Sequence, residues 1–301
     1  MENSQFDLKG YLNKNRDLVE AALERYLPFK EGIYKDILEA MRYSLFAGGK
    51  RLRPILCLAA TEAVGGSKEI ALPVACALEM IHTYSLIHDD LPAMDNDDLR
   101  RGKPTNHKVF GEAMAILAGD GLLTEAFALL SHPDLTQNIP AERVVQVINL
   151  IAQAAGYKGM VGGQVMDLNY TGKEIDLKSL ETMHRHKTGA LIVASVKSGA
   201  IVGGGKAEEI DALGEYAVQI GLAFQIVDDI LDVEGDVAEM GKRPGSDAEQ
   251  NKATYPRLLG LSQAKERAKE CIKKAIKALE PFERKALPLK AIAEYIGKRR
   301  K

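Results

Sequence analysis

Cysteine is scarce: Cys57, Cys76 and Cys271 are the three in 301 residues, and they form no CxxC pair and no Cys/His cluster. That spacing fits the reduced thiols of a cytosolic protein rather than a disulfide framework or a zinc site. Neither charge sign dominates, since 40 Lys and Arg stand against 42 Asp and Glu for a formal net charge of −2. No whole-protein field then draws the chain to nucleic acid or to an anionic membrane, and any basic site must be local. Apolar runs are short; the longest, such as 70–78 and 190–196, fall far below a bilayer's width. The first ten residues are polar and mixed in charge, unlike a signal peptide. The expectation is a soluble, cytoplasmic protein with no membrane span and no nucleic-acid partner. Alternating runs of Val, Thr and Tyr are rare, which leaves little for strands. HExxH, GxSxG and a GxGxxG opening a helix are missing, and Gly203-Gly204-Gly205-Lys206 lacks the spacing and hydroxyl of a P-loop.

What is present is helical periodicity. Apolar residues recur three and four apart in 18–26, 37–46, 74–87, 113–130, 144–155, 210–233 and 264–279. Between them fall breakers such as Gly48-Gly49, Gly65-Gly66, Pro133, Pro140, Gly162-Gly163, Pro244-Gly245 and Pro281. No flexible linker and no internal repeat divides the chain. The expectation is one all-α domain over 1–301, a bundle of about ten helices or more, some apolar on most sides and therefore buried.

Two stretches carry chemistry. The first is His88-Asp89-Asp90-Leu91-Pro92-Ala93-Met94-Asp95-Asn96-Asp97-Asp98, followed after Leu99 by Arg100-Arg101. Five aspartates in ten residues repel one another unless cations sit among them. They follow an apolar helical run, and a helix C-terminus disfavours carboxylates. A divalent cation answers both problems; a solvated polar loop is the alternative, while a calcium loop fails because Leu99 and Arg100 fall where a ligand and a glycine belong. The second stretch is Gln225-Ile226-Val227-Asp228-Asp229-Ile230-Leu231-Asp232. Asp228 and Asp232, four apart, project from one face of an otherwise apolar helix, where unpaired carboxylates are costly. Carboxylate oxygens select hard cations, and magnesium completes its shell with water and phosphate. Lys50-Arg51-Leu52-Arg53, Arg100-Arg101, Lys187-Thr188, Lys242 and Lys252 add phosphate-binding groups, although each alone could be ordinary surface charge.

These motifs, with GGKRLRP at 48–54, GGQVMDL at 162–168, HKTGALI at 186–192 and GKRPGSD…KATYP at 241–256, resemble in order those of the trans-prenyltransferase family, in particular its bacterial farnesyl diphosphate synthase type. The resemblance covers nearly the whole chain. It implies an all-α homodimer with helices around a deep central cavity, joining isopentenyl diphosphate head-to-tail to dimethylallyl or geranyl diphosphate. It implies magnesium, several ions bridging the allylic diphosphate, with manganese as a substitute. By the same resemblance Asp89, Asp95 and Asp228 are metal ligands and Asp232 supports that site. Lys50, Arg53, His82 and Arg101 belong to the isopentenyl diphosphate site. Arg100, Lys187, Lys242 and Lys252 hold the allylic diphosphate; Thr188 and Gln225 face the reacting carbons, and Gln164 with Asp167 completes that wall.

Tyr84 lies five residues before Asp89, about 7.5 Å down the helix at a rise of about 1.5 Å per residue. An aromatic ring there is either plain packing or the floor that stops the growing chain. The longer spacing of the first acidic motif with this aromatic implies, within the family, a fifteen-carbon product; a geranylgeranyl or geranyl product is the alternative. A terpene cyclase would not need the second phosphate site at Lys50 and Arg53, and a non-catalytic partner subunit would not need both acidic motifs. The basic tail 298–301 either is solvated or closes over the site.

Overall fold

The computed structural model describes residues 6–133, 137–234 and 252–299. In chain order the helices are α1 (Leu8–Tyr26), α2 (Lys35–Leu45), α3 (Leu52–Ala63), α4 (Lys68–Asp89), the short α5 (Asn106–Phe110), α6 (Glu112–Leu130), α7 (Ala141–Ala155), α8 (Met160–Tyr170), α9 (Leu177–His184), α10 (Ala190–Val202), α11 (Ala207–Glu234), α12 (Tyr255–Leu259), α13 (Leu261–Ala278) and α14 (Leu287–Lys298). A π-helical turn, Arg185–Gly189, joins α9 to α10, and a 3₁₀ stretch, Glu280–Ala286, precedes α14. Among the described residues the strands are a two-residue hairpin, β1 (Leu99–Arg100) against β2 (Lys103–Pro104), antiparallel with Leu99 opposite Pro104. The all-α expectation holds.

Buried side chains gather in two clusters. One is built from α1, α2, α4, α6 and α7. The other is built from α9, α11, α13 and α14. Helices α3 and α10 contribute buried residues to both and form the seam between them. Their approach is close because Gly199 has no side chain: a β-carbon there would sit 2.8 Å from the Cys57 carbonyl carbon. The Thr61 hydroxyl reaches across to the Gly199 carbonyl at 2.9 Å. Helix α3 is buried at Pro54 through Thr61 without a break, so it shows no stripe in the sequence.

Two readings of the sequence need correction. Gly162-Gly163 breaks no helix; it lies in the first turns of α8, where small size serves packing. Counting uninterrupted apolar runs also understates the helices. Lys68–Asp89, Glu112–Leu130 and Ala207–Glu234 are each long and apolar enough, by length and composition, to cross a membrane. In the bundle 72% of the apolar window of the first and 56% of that of the third are buried inside the protein, but only 39% of the second, α6.

Candidate active site

The first acidic stretch sorts its five aspartates. Helix α4 ends at Asp89, and the chain folds back so that the Asp95 amide donates to the Asp89 carbonyl at 2.9 Å. Asn96, in the left-handed region at φ 52°, makes the reversal and donates its amide to the Leu91 carbonyl. Burial pushes the Asp89 carboxyl up to about 6; Lys187 opposes the rise and Asp95 adds to it. Asp90, 2% exposed, takes another partner: it accepts from Arg100 Nε at 2.7 and 2.8 Å and from the guanidinium's terminal nitrogen at 2.5 Å. Asp97 stands 3.4 Å from the same guanidinium, and Asp98 pairs with Lys108 at 2.7 Å on the surface. Asp89 and Asp95 remain as the pair whose charges press on one another.

The π turn places Lys187 among these acids. Its ammonium donates to Asp167 Oδ2 at 2.5 Å, and Asp167, Asp89 and Asp95 all favour its charged form against the cost of burial. π turns re-aim side chains by adding a residue to a helical turn. Helix α8 comes close enough to supply Asp167 because Gly163 lies against the Lys187 backbone. Thr188 sits half-buried on the same turn, and Gln164 Nε2 is buried with no hydrogen-bond partner. The turn also packs on α11 and so connects the first acidic stretch to the helix of the second.

On α11, Asp228 and Asp232 share one face, with half-buried Gln225 three residues before Asp228. Asp229 points elsewhere and is buried, accepting the Tyr255 amide at 2.9 Å. Asp228 pairs with Arg299, whose guanidinium lies 4.0 Å from the Phe224 ring centroid and donates to the Phe224 carbonyl at 3.1 Å. Thus Arg299, from the basic tail, does close onto the second motif; Arg300 and Lys301 lie outside the described residues, as does Lys242. Lys252 is half-buried just before α12.

A third group surrounds the loop between α2 and α3. Gly48 (φ 91°), Gly49 (φ 133°) and Arg51 (φ 48°) take positive φ in four residues. Arg101, itself at φ 54° in the turn of the hairpin, donates to the Gly48 carbonyl. Gly49 makes room for it, since a β-carbon there would come 2.5 Å from the guanidinium. Lys50 is exposed beside it, and Arg53 follows with its Nε buried and unpartnered. Burial, then Arg53, Arg101, Arg100 and Arg51, hold His82 well below the usual imidazole range, so the ring stays neutral. Arg53, His82 and Arg101 are thereby brought together from three segments, with Lys50 exposed on the adjoining loop. Tyr84, 7% exposed, is one helical turn above His88 on α4 and meets it edge-on at 5.7 Å, within the first core cluster.

Residues 34–295 match the polyprenyl synthetase family. The chain belongs to that family. It is 52% identical over 296 residues to the farnesyl diphosphate synthase of Geobacillus stearothermophilus, covering 98% of this chain and 99% of that one. It is 48% identical over 297 residues to the geranylgeranyl diphosphate synthase of Cyanophora paradoxa, covering 98% of both. The crystal structure of a geranyltransferase from Legionella pneumophila superposes with a TM-score of 0.88 at 36% identity, over 99% of each chain. This polyprenyl synthetase is accordingly a trans-prenyltransferase, condensing isopentenyl diphosphate with allylic diphosphates.

In this polyprenyl synthetase the acidic motifs offer carboxylate oxygens alone, and among the described residues no three His, Cys, Asp or Glu side chains converge on one point. That donor set fits magnesium, which takes one or two protein carboxylates and leaves the rest of its octahedron to water and phosphate. Sequence reasoning missed Asp90 as the clamp on Arg100 and Arg299 as the partner of Asp228. Both pairings join residues separated in the chain by a loop or by whole helices, and no local spacing marks them.

Proposed function

We propose that this prenyltransferase makes farnesyl diphosphate, adding isopentenyl diphosphate to dimethylallyl and then geranyl diphosphate. The observation that carries the reading is Tyr84, a buried ring five residues before Asp89 on the helix that leads into the first acidic motif. A bulky side chain at that depth limits the space for a growing apolar chain. The relatives carry both farnesyl and geranylgeranyl names, so geranylgeranyl diphosphate is the second reading.

In this reading Arg100, Lys187, Lys242 and Lys252 hold the allylic diphosphate, with Arg100 oriented by Asp90 and Lys187 by Asp167. Asp89, Asp95 and Asp228, with Asp232 in support, would hold magnesium, or manganese in its place, which when bound would supply Lewis-acid charge to the leaving diphosphate. Lys50, Arg53, His82 and Arg101 hold isopentenyl diphosphate, and neutral His82 donates a hydrogen bond without adding to the local positive charge. Thr188, Gln225 and Gln164 place polar atoms beside the reacting carbons. The allylic C–O bond breaks with its electron pair leaving on the diphosphate, the isopentenyl double bond forms the new C–C bond, and a proton leaves to restore an alkene. The apolar helices exclude the water that would otherwise capture the allylic cation. The protein acts as one domain, in the cytoplasm and without a membrane span, its apolar helices packing on one another. It acts as a homodimer; Ile116 and Leu117, exposed on α6, support a second copy covering that helix.

The test is chain length. Purified protein is incubated with labelled isopentenyl diphosphate, each allylic starter and magnesium, with and without chelator, and the dephosphorylated products are separated. A chelator-sensitive fifteen-carbon alcohol, lengthened in Tyr84→Ala, supports the reading. A twenty-carbon product from the parent protein, or unchanged length in Tyr84→Ala, removes Tyr84 as the floor.

A further inference from the structure

The cationic site around Lys50 gathers Arg53 and Arg101, with Arg51 next to Lys50 in the chain and Arg100, held by Asp90, preceding Arg101 in the hairpin. Such a cluster repels itself whenever its anionic ligand is away. The structure places a compensating charge underneath. Glu79, on α4, is 1% exposed, and its Oε1 accepts from a terminal nitrogen of Arg51 at 2.7 Å. Arg51, 2% exposed, also donates through Nε to Glu20 of α1 at 2.7 Å and through its other terminal nitrogen to the Leu45 carbonyl, the last residue of α2, at 2.6 Å.

One guanidinium therefore ties three helices to the loop that carries Lys50. It does so from a left-handed backbone position, which a non-glycine residue holds only where its surroundings over-determine it. Lys50 is the preceding residue, and Arg53 lies in the first turn of α3 two residues on, so both inherit their placement from Arg51. Glu79 acts beyond this pair. After burial, it is the first influence on Arg53 and on Arg101, and in both it favours the charged form. It is also three residues before His82, on the same side of α4.

We propose that Glu79 and Arg51 are positioning residues for the homoallylic diphosphate, a buried ion pair that fixes the loop of Lys50 and keeps the surrounding arginines together while the site is empty. The proposal rests on reading Lys50, Arg53, His82 and Arg101 as the isopentenyl diphosphate site. Glu79 touches no substrate in it; its effect passes through the arginines. Neutralising Glu79 leaves Arg51 with Glu20 as its one paired carboxylate and removes the charge that holds Arg53 and Arg101 against their mutual repulsion. The consequence falls on one substrate. On the allylic side Lys187 has its own partner in Asp167 and Arg100 has its own in Asp90.

The experiment compares Glu79→Gln, Glu79→Asp and Lys50→Ala with the parent protein, varying isopentenyl diphosphate at saturating allylic substrate and then the reverse. Thermal melts accompany each variant. The expected result is a KM for isopentenyl diphosphate raised about tenfold or more in Glu79→Gln. The turnover number and allylic KM stay within about twofold, and Glu79→Asp recovers part of the loss. A role confined to packing would lower the melting temperature and the active fraction without splitting the two KM values. A folded Glu79→Gln with both KM values unchanged, beside a Lys50→Ala that raises the isopentenyl KM, overturns the positioning role alone. A Lys50→Ala without effect on that KM overturns the site assignment and this proposal with it. Where Glu79→Gln fails to fold, Arg51→Lys keeps the charge and loses the fork. The same selective rise supports the proposal, and an even loss against both substrates overturns it.

Discussion

A β-carbon placed on Gly163 would overlap the backbone nitrogen of Lys187 and come 2.5 Å from its Cα. The two residues are on different elements, α8 and the π turn, and backbone-to-backbone contact between them brings Asp167 within reach of the Lys187 ammonium. Gly163→Ala must push the turn away. We expect a turnover number lower by about a hundredfold, because a displacement of about 1 Å at a catalytic group carries that order of cost. Steady-state kinetics check it, with circular dichroism confirming that the helices remain.

Asp90 and Asp98 stand in the same acidic run and have opposite surroundings. Asp90 is buried against Arg100 in a two-pronged pair, whereas Asp98 meets Lys108 in solvent. Asp90→Asn should raise the allylic KM about tenfold or more by releasing Arg100, since breaking a buried pair strands its partner. Asp98→Asn should stay within about twofold. Paired kinetics on the two variants measure the difference.

His184 sets an acid limb of stability. It is buried with Nδ1 unpartnered, its ring 5.6 Å from that of Tyr255, and burial lowers its pKa from 6.5 to about 4 despite the opposing influence of Asp167. The unfolded chain therefore binds a proton between pH 6.5 and about 4 that the folded chain refuses. The stabilisation is complete above pH 6.5 and is lost as pH falls toward about 4, reaching about 3 kcal/mol. Asp89, raised to about 6, takes up its proton in the folded chain over much of the same range and opposes this slope. The histidine is therefore read from the difference in denaturant midpoints between the parent and His184→Phe, which should widen from pH 7 to pH 4.5.

Arg299 competes with cations for Asp228. The ion pair and the stack on Phe224 give the second motif a resident positive charge. In Arg299→Gln we expect magnesium, titrated calorimetrically without substrate, to bind about two- to fivefold more tightly, the scale of a partly exposed ion pair. Unchanged magnesium affinity would show that the arginine does not compete.

The amphipathic helices were legible because each carries its stripe: the periodic segment at 18–26 falls inside α1, and those at 37–46 and 264–279 match α2 and α13 to within a residue at their C-terminal ends. The acidic motifs stood out because repelling charges lie at short spacing, but that Arg100 and Lys108 answer three of the five aspartates in the first was not visible there. Helix α3 was not, since it is buried on every side and shows no period. The role of Gly162-Gly163 was misread, because glycine marks both a chain break and a close approach, and only the neighbour across the gap tells which. Arg51 with Glu79, and Asp228 with Arg299, are 28 and 71 residues apart, so their pairing is a property of the fold. Arg51 looked like one more basic residue in a run, although it is the buried one.

The two acidic motifs grow from different cores: Asp89 ends α4 in the first cluster, and Asp228 rides on α11 in the second. Helices α3 and α10 are the party wall between those halves, closely fitted at Gly199 and Cys57. A ligand gripped by both motifs would be a strut spanning that wall from one half to the other. Amide exchange in α10 should then slow when the seat is filled.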